Sequence, residues 1–86
     1  MTTSAHTPER LDQLPMDAAA RISGLTVEGE ERRRLMDLGF LPGTSVSVEM
    51  GNPLGDPRAY RVMGGVVALR REQANGILIE REEDGQ

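Results

Sequence analysis

Between Leu35 and Met50 the spacing of apolar residues switches from helical to extended, with Gly39, Pro42 and Gly43 at the switch. Any fold for this chain must therefore place a helix-to-strand corner near its middle. Before the switch, Leu35, Met36 and Leu38 gather on one side of a short helix. Gly39 stands where a helix commonly ends on a residue at positive φ, a conformation that glycine adopts without a Cβ clash. After it, Val46, Val48 and Met50 alternate with Ser45, Ser47 and Glu49, the period of a half-buried strand.

The other segments are short. Residues 1–10 read as a flexible tail, and Leu11 and Leu14 can form one helical turn, stopped by Pro15, that plugs the open end of a core. Residues 18–25 carry alanines that favour helix, yet Ala20 and Ile22 alternate with Arg21 and Ser23, so a strand is expected. A helix follows over about 29–38, with Glu28, Glu30 and Glu31 near its dipole-positive start. Residues 51–57 are dense in turn formers, and their one large apolar residue, Leu54, either plugs the barrel end or meets a partner. Tyr60 and Val62 share one strand face, Gly64-Gly65 suits a two-residue primed turn, and Val67 and Leu69 point inward on the return strand. A helical turn near 71–75, ended by Gly76, leads to a last strand, Ile77 to Glu80; residues 82–86 form a flexible acidic tail.

The expected fold is mainly β. It is a small, partly open SH3-like barrel of five strands over residues 11–81, with an OB-like barrel as second choice. A chain of 86 residues builds a thin core. With Phe40 and Tyr60 as its only aromatics, that core must be aliphatic.

The same composition narrows the chemistry. There is no cysteine, and the single histidine, His6, lies in the tail. Disulfides, thiolate metal sites and histidine-based triads are therefore not expected, and no catalytic residue, metal ligand or cofactor is assigned. Ser45 and Ser47 fall on the outer strand face, and Asp12, Asp17, Asp37 and Asp56 are scattered. A net charge of −4 and the lack of an aromatic stacking pattern weigh against nucleic acid. No apolar run approaches a membrane span or a signal peptide, so a cytoplasmic chain without membrane insertion is expected. Arg32, Arg33 and Arg34 resemble a binding patch. However, Glu30–Arg33, Glu30–Arg34 and Glu31–Arg34 have helical pair spacing, worth about 0.2–0.5 kcal/mol each, and a solvated, paired face accounts for them.

An ordered series of motifs carries a resemblance. It runs Leu11-x-x-Leu14-Pro15, Ala20-Arg21-Ile22, then Arg34-Leu35-Met36-Asp37-Leu38-Gly39-Phe40-x-Pro42-Gly43. It continues through Val46-x-Val48, Pro53-x-Gly55-Asp56-Pro57, Tyr60-x-Val62, Ala68-Leu69-Arg70 and Ala74-x-x-Ile77. Over residues 11–80 the chain resembles the FeoA family of ferrous iron transport proteins, with Asp17 standing where the family more often has glycine. A weaker form of the pattern occurs in the C-terminal domain of diphtheria-toxin-repressor-type metalloregulators. No DNA-binding or metal-binding domain precedes it here, which favours a stand-alone transport accessory.

The resemblance implies an SH3-like barrel and a non-enzymatic cytoplasmic protein that binds and modulates a FeoB-type transporter, the membrane protein with a GTPase domain that imports Fe²⁺. Weak homo-oligomerisation is compatible with that role. The alternative is a regulatory or nucleic-acid-binding SH3-like module. Arg34, Leu35, Leu38, Gly39, Pro42, Gly43, Gly55, Asp56, Pro57, Leu69 and Arg70 form the structural signature. Leu41, Pro42, Pro53 and Leu54, flanked by Arg58, are the candidate partner-binding patch.

Overall fold

The computed structural model describes residues 9–16, 18–50 and 55–81. Strands β1 (Glu9–Arg10), β2 (Ala19–Leu25), β3 (Ser45–Met50), β4 (Arg58–Val62), β5 (Gly65–Leu69) and β6 (Ile77–Arg81) form one antiparallel sheet in the order β1-β6-β2-β3-β4-β5. Helix α1 spans Gly29–Asp37 and the one-turn α2 spans Arg71–Ala74. The sheet thus has six strands where five were expected. The added strand is β1, whose two residues pair with Ile79 and Leu78 and so leave the expected tail, while Glu9 grips Arg81 at 2.8 Å.

The expected alternation is realised. Ala20 and Ile22 on β2, Val46 and Val48 on β3, Tyr60 and Val62 on β4, and Ile77 and Ile79 on β6 all point into one core. Leu11 opens a 3-10 turn, Leu11–Gln13, and Leu14 follows it; both are fully buried as the expected plug. The Gln13 side chain accepts from the Arg10 backbone N–H at 3.0 Å, and Gln73 does the same for Arg70 at 2.9 Å at the start of α2. Asp56 accepts from the Arg71 N–H at 2.8 Å, tying the loop before β4 to the first turn of α2.

The central corner is built by two successive devices. Gly39 N–H donates to Met36 O at 3.0 Å and Phe40 N–H to Leu35 O at 3.1 Å, the paired bonds of a Schellman ending. Phe40 and Leu35, at the two positions where apolar side chains accompany this ending, are both fully buried in the same core. Thr44 N–H then donates to Leu41 O at 3.0 Å across Pro42-Gly43. With Gly43 at φ 92° and proline before it, this is a type II turn. Gly43 and Thr44 continue onto β2 by bonds to Ile22 of 2.7 and 2.9 Å. The helix therefore enters the sheet with its last backbone groups already paired.

The hairpin between β4 and β5 differs by one residue from expectation. Val62 pairs with Gly65, so the turn residues are Met63 and Gly64 rather than Gly64 and Gly65. Both have positive φ, 53° and 80°, as a type I′ turn requires. Methionine is a poor choice there, since its Cβ crowds the backbone.

Candidate docking surface

The corner and the hairpin tip meet. A Cβ on Gly39, which sits at φ 111°, would lie 2.9 Å from Met63 Cγ. Gly39 is therefore fixed twice, by its backbone conformation and by the methionine that occupies the space a side chain would need. Around this contact lie Leu38, 39% exposed, and Met63, 65% exposed. Next along the chain come half-buried Leu41 and exposed Pro42. Holding a non-glycine residue in the left-handed region costs about 1 kcal/mol. Here that cost presents a large apolar side chain to solvent. Met63→Asn, which restores the favoured Asn-Gly turn, is expected to raise stability by about 0.5–1 kcal/mol, read as a higher melting temperature. No rise would mean that Met63 packing on Gly39 already offsets the backbone strain.

The described members of the expected patch, Leu41, Pro42 and Arg58, are not gathered in one place. Val46 pairs with Val62 and Met50 with Ala59, so the corner bearing Leu41 and Pro42 lies at one end of the β3–β4 ladder and Arg58 at the other. Pro53 and Leu54 lie outside the described residues. Arg58 is turned inward. Its guanidinium donates to the carbonyls of Asp12, at 3.1 Å, and Leu14, at 2.5 Å, and stands 5.4 Å from the centre of the Tyr60 ring. Its Nε is buried with no partner among the described residues. The side chain thus straps the 3-10 turn to β4.

A cleft beside this strap, about 260 Å³, is lined by Asp12, Gly55, Arg58, Tyr60, Leu69 and Arg71. That falls short of the roughly 300–1,000 Å³ of usual small-molecule pockets. Burial pushes the Tyr60 phenol above its ordinary value, with Arg58 opposing. Because the native state holds this proton more tightly than the unfolded chain, stability is full below pH 10 and falls as pH rises through the raised value. Tyr60 is the sole tyrosine and there is no Trp, so absorbance titration reads it directly. Ionisation is expected above pH 10 and together with unfolding; an ordinary titration in folded protein would contradict this.

The other signature residues have structural tasks. Leu35 and Leu69 are core, Gly55 turns at φ 83°, Asp56 holds α2, and Pro57 follows through a cis bond. Arg34 lies in the last turn of α1, and Arg70 immediately precedes α2. The pairs expected along α1 are not formed: none of Arg32, Arg33 or Arg34 comes within 4 Å of a described carboxylate. Ion pairs between described residues are Arg81–Glu9 and Arg61–Glu49, both at the surface. Arg61 holds the Glu49 carboxyl below its ordinary value. Among the described residues no three His, Cys, Asp or Glu side chains group as metal ligands, and no helix is long and apolar enough to cross a membrane. Met63 was not legible as a surface residue, because nothing in the sequence marks a methionine for positive φ.

Comparison with known proteins places this geometry. The model of the FeoA domain matches residues 9–81. A Porphyromonas gingivalis protein described as an Fe(2+) transport protein A/Fe(2+) transporter FeoB fusion is 38% identical over 71 residues. The match takes in 83% of this chain but only 8% of that relative. The NMR structure of a FeoA-like protein from Clostridium acetobutylicum superposes with a TM-score of 0.83 at 29% identity, covering 95% of both chains. A zinc complex of Stenotrophomonas maltophilia FeoA, described as a procaryotic SH3 domain protein, gives 0.74 at 26% identity over 84% of this chain and 89% of that one. The expected SH3-like fold is thereby met, and the chain belongs to the FeoA domain family, which is linked to ferrous iron transport.

Proposed function

We propose that this protein is a non-enzymatic accessory of ferrous iron uptake that acts in the cytoplasm by docking on a FeoB-type transporter and modulating it. The observation that carries this reading is the fusion relative, in which a matching segment and the transporter share one polypeptide. Sharing a chain gives two parts a high effective concentration, the arrangement expected of modules that work in contact. The docking surface that fits best is the apolar corner of Leu38, Leu41, Pro42 and Met63, where two exposed apolar side chains flank a rigid turn. Pro53 and Leu54 form a second candidate contact, whereas Arg58 is engaged by the 3-10 turn.

The test is radioactive Fe²⁺ uptake in cells lacking the chain but retaining the transporter. Restoring the chain should change uptake, and restoring Met63→Asn should do so less well despite its greater stability. Uptake indifferent to the chain would sink the proposal. A sharper form is favoured by the lack of ion pairs from α1 to any described residue: one of Arg32, Arg33 or Arg34 acts in trans on the transporter's GTPase. GTP hydrolysis unchanged by adding the chain would remove that form.

A further inference from the structure

The two edges of the sheet are treated differently. The β1 edge is two residues long and carries Glu9 and Arg10, which is how native sheets blunt an edge against unwanted pairing. The β5 edge runs Gly-Val-Val-Ala-Leu, with no charge, no proline and no bulge in its pairing with β4. In a two-residue hairpin the residues flanking the turn exchange both hydrogen bonds, and bonded and non-bonded pairs then alternate. Val62–Gly65, Tyr60–Val67 and Arg58–Leu69 are thus the bonded pairs, while Arg61–Val66 and Ala59–Ala68 are not. The N–H and C=O groups of Val66 and Ala68 consequently face away from β4. Among the described residues no backbone group bonds to them. Val66 is 51% exposed, Ala68 is exposed and Val67 is only half-buried.

We infer that the β5 edge pairs with the β5 edge of a second copy of this chain, about a two-fold axis through Val67. The strand suits itself in this register. In antiparallel pairing centred on Val67, Val66 lies opposite Ala68 of the other copy, and each such pair exchanges both N–H···O bonds. The residues left unbonded in the monomer are those the register joins. Val67 meets Val67 on the core-side face, covering the surface each leaves half-open, and Val66 packs on Ala68 on the outer face. No like charges face each other within the strand, because residues 65–69 carry none. Arg70 falls opposite Gly64, outside the paired segment. An interface of one short strand is small, so the dimer is weak and depends on concentration.

Sedimentation velocity over a concentration series reaching the millimolar range, with amide exchange by NMR, tests this. The full chain is expected to move from monomer to dimer. The Val66 and Ala68 amides should become protected as it does, while those of Val67 and Leu69, bonded to β4, stay protected throughout. Ala68→Pro removes only the outward N–H and suits an edge strand, and Val66→Lys leaves the backbone unaltered; both variants should remain monomeric. A monomer at every concentration, or a dimer that persists in both variants, would overturn the inference. So would a monomer whose Val66 and Ala68 amides become protected only on addition of the transporter's cytoplasmic part, which would assign the edge to that partner.

Discussion

Phe40→Ala is expected to cost about 3–5 kcal/mol, among the largest single losses available in the described core. Phe40 is fully buried, and its backbone N–H donates to Leu35 O in the Schellman ending of α1. The substitution leaves a cavity and removes the clasp between helix and sheet at once. A domain of this size has a total stability of roughly 5–10 kcal/mol, so about a third or more of it would go. Urea unfolding followed by circular dichroism should show the midpoint fall accordingly. Phe40→Leu, which refills most of the space, should lose about 1–2 kcal/mol. A loss below about 1 kcal/mol for alanine would mean that the corner closes without the ring.

Arg58→Ala is expected to cost about 2–4 kcal/mol, although the residue carries a charge at the start of a strand. Its guanidinium spans the carbonyls of Asp12 and Leu14, and the turn it holds carries Leu11 and Leu14 into the open end of the core. Losing the strap leaves those carbonyls without their donor and loosens two buried leucines. Arg58→Lys should recover less than half, because one ammonium cannot reproduce a planar fork across two acceptors. The same unfolding measurement decides it. A variant as stable as the parent would show that the plug holds without the strap.

How much of this was legible beforehand depended on whether a pattern had one physical cause. The corner was legible because Gly39, Pro42 and Gly43 are residues whose backbone preferences differ most from the rest. The structure shows those preferences used at φ 111° for Gly39 and 92° for Gly43. Strand faces were legible because period-two alternation has few competing explanations. Gly76 was misleading: it ends α2 without a positive φ, and its missing Cβ leaves room for Val27 Cγ1, which would be 2.9 Å away. Close packing between distant segments leaves no local mark. The hairpin slipped by one residue because Gly64-Gly65 is a better turn sequence than Met63-Gly64, and the pairing of Val62 with Gly65 overrides local preference. Arg58 looked like a surface contact because the carbonyls it binds lie more than forty residues away in the chain. The helix arginines erred in the opposite sense: their spacing promised ion pairs that the structure does not form.

Docking on the transporter is tested most directly by titrating the purified chain into the isolated cytoplasmic part of a FeoB-type transporter, without nucleotide, with GDP and with a non-hydrolysable GTP analogue. Isothermal calorimetry should show saturable binding in at least one state. Met63→Asn, folded and more stable than the parent, should weaken it by about tenfold, the loss expected when one apolar anchor worth about 1.4 kcal/mol is removed. No binding in any nucleotide state would contradict the docking role. Binding at full strength by Met63→Asn would move the contact away from the corner of Leu38, Leu41, Pro42 and Met63.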